Sequence, residues 1–253
     1  MNRVAIDSGG RFSLGGENFV MDVSAKERRL SNEDAFTIVK NEPYLRVYEG
    51  LAANFSPRSM LELGIFQGGS YVLFDKLFRP RRMSAVEISP QPVAPLLRYV
   101  AAVKDRFVHF ATSQCDREIL HRIVRDELAD ELDLVVDDAS HTYENTKASF
   151  ELLFPLLQPG GFYVVEDWSW AHAPKYQAPD APLAKRYALS NLLFEQMMLM
   201  ASTSQISEIR VWKFLYVIRK ARTSLRASAV GQANESGSIF EQILNRGRKW
   251  NLI

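Results

Sequence analysis

The chain has little that would direct it to secretion, to a membrane or to thiolate chemistry. It contains one cysteine, Cys115, among 253 residues, which excludes an internal disulfide and suits a reducing compartment. No apolar run approaches the roughly 18 residues of a membrane span. The opening stretch, MNRVAIDSGGRFSLGGENF, lacks the apolar core of a signal peptide, so a cytoplasmic protein is expected. Neither sign of charge is in excess: 31 Lys and Arg against 30 Asp and Glu leave a net charge of +1. That balance offers no global attraction to nucleic acid or an anionic membrane. There are four histidines, so few that each can be weighed separately.

What is present is a long alternation of short apolar runs and amphipathic stretches. A length of 253 residues with 47% hydrophobic content suits one α/β domain with appendages. Strands are expected at 59–63, 83–88, 107–110, 132–136 and 162–165, with helices between them at 95–103, 116–128 and 144–157 and one following the glycine-rich turn at 64–70. Repeated β-α units with right-handed crossovers imply a mostly parallel sheet with helices on both faces. A helix at 187–200 and a closing antiparallel hairpin at 206–211 and 214–218 follow. The expected organisation is an N-terminal arm and helical cap (1–56), a central domain (57–220) and a loosely packed basic tail (221–253) with one short helix. The arm, residues 1–30, reads as loose. A helix is expected from an N-cap at Ser31 onward, broken or kinked by Pro43. The segment 168–187, with Pro174, Pro179 and Pro182, is too long for an ordinary connection and reads as a lid or substrate loop.

Two stretches organise the rest, LDLVVDDASH at 132–141 and FYVVED at 162–167. Each is a β-branched run short enough for a buried strand, and each ends abruptly in carboxylates. In an open parallel sheet, ligands bind beyond the carboxyl ends of the strands, and neighbouring strands lie about 4.8 Å apart. If these runs are neighbours, Asp138, Glu166 and Asp167 converge on one small volume, with His141 close by in sequence. Three carboxylates fit a hard cation such as Mg²⁺, and His141 is placed to accept a proton.

The glycine-rich turn has the spacing Glu62-x-Gly64-x-x-x-Gly68, with Ser70 beyond it. This is not the G-x-G-x-x-G of dinucleotide binders. A Gly turn opening a helix lets backbone N–H groups approach a ligand, while the acid ahead of it suits an ammonium group and would repel a phosphate. Glu87, ending the next strand, is placed for a ribose diol. A nucleoside with an amino-acid tail meets both demands.

The segments LELGIFQGGS, VEIS, TSQCD, DLVVDDASH and LQPGGFYVVED, in that order over 58–168, resemble the class I S-adenosylmethionine-dependent methyltransferases. Within these they resemble the metal-dependent branch of macrolide-sugar, rhamnosyl and mannosyl O-methyltransferases and the cephalosporin hydroxylase family. The resemblance implies a Rossmann-like fold and S-adenosylmethionine as cofactor. It also implies Mg²⁺ held by Asp138, Glu166 and Asp167, and His141 as base. Cofactor contacts are implied for Glu62, Gly64, Gly68, Ser70 and Glu87, and near the adenine for Ser113, Gln114 and Asp116. Relatives often carry an acid and a serine where this chain has Ser113 and Cys115. Asp137 points away from Asp138 if the strand continues, and either serves the cofactor's methionine end or caps the following turn. The implied activity is O-methylation of a sugar hydroxyl on a small molecule or oligosaccharide. The alternatives are a non-sugar O-methyltransferase or hydroxylase-family protein, and a non-catalytic cofactor-binding subunit. A 2-His-1-carboxylate iron triad would need a second suitably placed histidine. The chain is compatible with a homo-oligomer.

The remaining candidates have simpler readings. His109 and His121 are read as structural or exposed. His172, beside Trp168 and Trp170, is either packed or against substrate. Met197, Met198 and Met200 are read as core filler, Cys115 as a small buried residue, and Arg219, Lys220, Arg222 and Arg226 as a solvated end.

Overall fold

Gly15 and Gly16, both with positive φ (58° and 88°), turn the chain back on itself near its start. A computed structural model describes residues 3–24, 27–181 and 184–222. The glycines join β1 (Arg11–Leu14) to β2 (Glu17–Met21) as an antiparallel hairpin, and β3 (Phe36–Ile38) adds parallel to β2. Consecutive left-handed residues are what a two-residue hairpin turn requires. Phe12 stacks on Phe19 at 5.0 Å, and Phe19 meets Phe36 at 6.2 Å. The arm expected to be loose is therefore a small sheet with an aromatic face. The helix expected from Ser31 begins later, as α1 (Glu42–Ala52), capped by Asn41, with Pro43 in its first turn. Proline is tolerated there because that N–H has no intrahelical acceptor.

Two compact units make up the chain, Met1–Leu132 and Asp133–Ile253. The division falls inside the span 57–220 that the sequence suggested as one domain. In the first unit, β4 (Ser59–Leu63), α2 (Gly69–Phe78), β5 (Arg82–Val86), α3 (Ala94–Ala102), β6 (Arg106–His109) and α4 (Arg117–Arg122) follow the small sheet. The strands β4, β5 and β6 are parallel, with β5 in the middle. A π-helical turn, Ile123–Glu127, continues α4.

β7 (Leu132–Asp137) starts at the division and is buried along its whole length, as a strand covered on both faces should be. In the second unit, α5 (Tyr143–Leu153) leads to β8 (Phe162–Glu166), which pairs parallel to β7. Then α6 (Ser190–Ser202) is followed by β9 (Ile206–Val211) and β10 (Leu215–Lys220). β10 runs antiparallel to both β8 and β9, which closes the edge as expected. On α6, Met197 and Met200 are not core filler, at 39% and 36% exposed, and Met198 is half-buried, while Leu192, Leu193 and Leu199 point inward. No helix among the described residues is long and apolar enough to cross a membrane. Residues 223–253, which include Arg226 and most of the expected tail, lie outside the described residues.

Candidate active site

In the first unit the carboxyl ends of three parallel strands are tied together. Gly64 N–H donates to Val86 O at 2.9 Å, Glu87 N–H to His109 O at 2.8 Å and Thr112 N–H to Glu87 O at 2.9 Å. The turn after β4 contains left-handed Gly64, Phe66 and Gly68, at φ 81°, 49° and 75°. The Glu87 carboxylate is buried and holds this turn directly: Oε2 accepts from the amides of Ile65 (3.0 Å) and Phe66 (2.9 Å), and Oε1 from Ser89 (2.9 Å). Three of about four acceptor positions are thus filled by the protein.

Glu62 is fully buried in β4, and Ser70 is buried at the start of α2. A Cβ on Gly68 would stand 2.6 Å from Leu96, and one on Gly69 would stand 2.0 Å from the Thr37 carbonyl. Only glycine lets α2 lie this close to α3 and β3. The arm clasps the same turn, since Ser31 Oγ donates to Gln67 O at 2.8 Å and Ser31 N–H to Gln67 Oε1 at 3.2 Å. Sequence reading took Ser31 for a helix cap, and the contact to Gln67 has no signature in the sequence.

After β6, Gln114 is buried and Ser113 Oγ accepts from the Cys115 amide at 3.1 Å. Asp116 caps α4 by accepting from Ile119 N–H at 3.0 Å. Cys115 itself is exposed; it sits in the turn between Gln114 and the helix cap, so it is not the buried residue expected.

In the second unit, Asp138, His141 and Asp167 gather at the carboxyl ends of β7 and β8. His141 Nε2 lies 3.7 Å from Asp138 Oδ1 and 3.8 Å from Asp167 Oδ2. One ligand atom from each of the three lies within 4.8 Å of the others. His141 and Asp167 are both left-handed, at φ 53° and 52°, a costly conformation for residues with a Cβ and one that concentrates at functional sites. Glu166, the last residue of β8, is buried and stands outside this trio. The trio thus contains two of the three expected carboxylates together with the expected base.

Asp137 faces the interior. Its Oδ2 accepts from Ser149 Oγ at 2.7 Å and from Tyr163 OH at 2.9 Å. Burial pushes its carboxyl pKa up to about 6, against the pull of Ser149, Tyr163, His141 and the Ala139 backbone. Asp137 fixes the base of the loop that carries Asp138 and His141 to α5 and β8.

Two of the other three histidines take protein partners, and His121 is exposed on α4. His172 Nε2 lies 2.8 Å from Ser190 Oγ, and His109 Nε2 lies 2.8 Å from Glu127 Oε1, which belongs to the π-helical turn.

A hard divalent cation fits the trio. The Asp138 and Asp167 oxygens lie within 4.8 Å of each other, close enough to share one Mg²⁺, whose opposite ligands at about 2.1 Å from the metal stand about 4.2 Å apart. Two carboxylate oxygens suit a cation that prefers oxygen, which leaves the imidazole free to act as a base.

Parallel β-α units, a glycine turn clamped by a strand-end glutamate, and strand-end acids with a histidine define a Rossmann-like methyltransferase fold. A solved structure of the MycE methyltransferase from the mycinamycin biosynthetic pathway in complex with Mg and SAH shares it. The TM-score is 0.51 at 23% identity, over 76% of this chain and 51% of that one. Residues 35–191 match the family described as Rhamnosyl O-methyltransferase/CmcI, and the chain belongs to that family. Among named relatives, a tetracenomycin rhamnosyl 3'-O-methyltransferase of Streptomyces olivaceus is 32% identical over 127 residues, 47% of this chain and 30% of that protein. Mycinamicin VI 2''-O-methyltransferase of Micromonospora griseorubida is 31% identical over 124 residues, 46% of this chain and 29% of that protein. The matches therefore span under a third of these relatives' length.

Proposed function

We propose that this chain is a Mg²⁺-assisted O-methyltransferase that moves a methyl group from S-adenosylmethionine to a sugar hydroxyl of a small molecule or oligosaccharide. The observation that carries the reading is the trio of Asp138, His141 and Asp167. A sugar hydroxyl is too weak an acid to ionise unaided at neutral pH, so the reaction needs a group to take its proton. His141 would do so at Nε2, a contribution typically of about 10² to 10⁴ in rate. Asp138 and Asp167 would hold the cation, and Glu166 is the third carboxylate of the family pattern. When bound, the cation supplies Lewis acidity that lowers the pKa of a coordinated hydroxyl. When bound, S-adenosylmethionine would supply the methyl group, and His141 would hold the proton given up by the hydroxyl.

On the donor side, Glu62, Gly64, Gly68 and Ser70 would serve the amino-acid end, with Glu87 at the ribose and Ser113, Gln114 and Asp116 near the adenine. Relatives named for rhamnosyl and mycinamicin substrates favour a sugar over a non-sugar acceptor. The reading places the enzyme in the cytoplasm, where an exposed thiol such as Cys115 stays reduced.

The test is a screen of sugars and glycosides for transfer of labelled methyl by the isolated chain, with and without chelator. Transfer that chelator abolishes and Mg²⁺ restores is expected, whereas indifference to chelator removes the cation from the reaction. The His141→Ala variant should bind the donor and Mn²⁺ like the wild type while turnover falls at least about 100-fold. Undiminished turnover would exclude His141 as the base.

A further inference from the structure

The trio is split between two loops, and the Trp170 side chain hydrogen-bonds from one to the other. Asp138 and His141 follow β7, and Asp167 follows β8. The loop after β8 is fastened on one side to the turn between β9 and β10. There Asp167 N–H donates to Phe214 O at 2.6 Å, Ser169 Oγ to Lys213 O at 2.8 Å and Trp168 Nε1 to Trp212 O at 2.9 Å. On its other side, Trp170 Nε1 donates to the carbonyl of His141 at 2.7 Å. The indole is itself held edge-on by Tyr176, with ring centroids 5.3 Å apart.

We infer that Trp170 is a positioning residue that sets the span between Asp167 and the Asp138–His141 pair, and so governs how tightly the site holds a divalent cation. The inference rests on reading the trio as a cation site. His141 is left-handed, so the direction of its carbonyl and the aim of its side chain are fixed together by a backbone that would otherwise relax. The indole N–H holds that carbonyl, and the covalent path from Trp170 back to Asp167 is three residues long. Loss of the hydrogen bond lets one loop shift against the other with Asp138, His141 and Asp167 all intact. Partners that orient ligands without touching the metal typically change affinity by about 10- to 100-fold.

The experiment titrates Mn²⁺, followed by its electron paramagnetic resonance signal, into four forms of the 253-residue chain: wild type, Asp138→Asn, Trp170→Phe, and a protein carrying 3-benzothienylalanine in place of Trp170. The last keeps the fused-ring shape and loses only the N–H. Both position-170 proteins should bind Mn²⁺ about 10-fold more weakly than wild type, with melting temperatures in chelator close to wild type. If Trp170→Phe does not fold, the benzothienylalanine protein decides. Wild-type affinity in that protein overturns the inference, as does a fall in its chelated melting temperature with Mn²⁺ affinity unchanged. Asp138→Asn separates the two readings. If it abolishes binding while the position-170 proteins bind normally, the cation site stands and the role of Trp170 falls. If the wild type itself binds no Mn²⁺, both are overturned.

Discussion

Asp137 offers a direct test of how the loop carrying the trio is anchored. Its carboxyl is fully enclosed, accepts from Ser149 and Tyr163, and has its pKa pushed by burial from 3.8 to about 6. That displacement corresponds to about 3 kcal/mol of preference for the neutral acid in the folded protein. Between these two values the native state holds more proton than the unfolded chain. The group's contribution to stability is therefore complete below about pH 4, falls as the pH rises towards 6 and is level above that. Asp137→Asn removes the titration and keeps the size of the side chain. Urea unfolding of both proteins, in chelator so that no cation contributes, would be measured from pH 4 to 7.5. The wild type should lose about 2 kcal/mol relative to the variant across that interval, since at pH 4 the unfolded carboxyl is already more than half ionised, and groups common to both proteins cancel in the difference. Ser149→Ala removes a hydrogen bond that favours the ionised form, so it should carry the transition to higher pH. A wild-type-minus-variant difference that stays flat within about 0.5 kcal/mol would refute the claim that burial dominates at Asp137.

Two further perturbations act on the first unit. Glu87→Gln cannot accept from both sides of its head group, so one of the amides of Ile65, Phe66 and Ser89 faces an amide NH₂. The cost should be about 1–3 kcal/mol in unfolding free energy, with S-adenosylhomocysteine binding by calorimetry weakened about 10-fold as the turn loosens; normal affinity would free Glu87 from any part in shaping the donor turn. Gly69→Ala puts a methyl 2.0 Å from the Thr37 carbonyl, backbone against backbone, so β3 and α2 must separate. A loss of about 3 kcal/mol by denaturant midpoint is expected, and a loss under about 0.5 kcal/mol would show that β3 is not seated on the helix.

β7 and β8 were legible because each is a largely apolar, Val-rich run that ends in carboxylates, and β4, β5 and β6 because each is a short, partly apolar stretch with a glycine, proline or charge beside it. The N-terminal segment was misread for an equally physical reason. Phe36, Val39, Tyr44 and Val47 fall near helical spacing, and that period hid a three-residue strand ahead of a separate helix. The better signal was Asn41-Glu42-Pro43, a capping side chain followed by an acid and a proline, all of which favour a helix start. Likewise Gly15-Gly16 between alternating apolar residues is a hairpin signature, although it was taken as a sign of looseness.

For the site, spacing from the strand ends was enough to single out Asp138, His141 and Asp167. It was not enough to say which neighbouring acid would join them. Strand alternation carried one residue past β8 sends Glu166 and Asp167 to opposite faces, yet the left-handed turn at Asp167 redirects its side chain, and His141 turns in the same way. A positive φ at a residue with a Cβ costs about 1–2 kcal/mol and persists only where the surroundings impose it. Here each strained residue carries an imposing contact of its own: Trp170 Nε1 on the His141 carbonyl and the Phe214 carbonyl on the Asp167 amide. Those contacts come from residues distant in sequence, so the local pattern could place the trio's side chains near one rim but could not specify the backbone that aims them at one another.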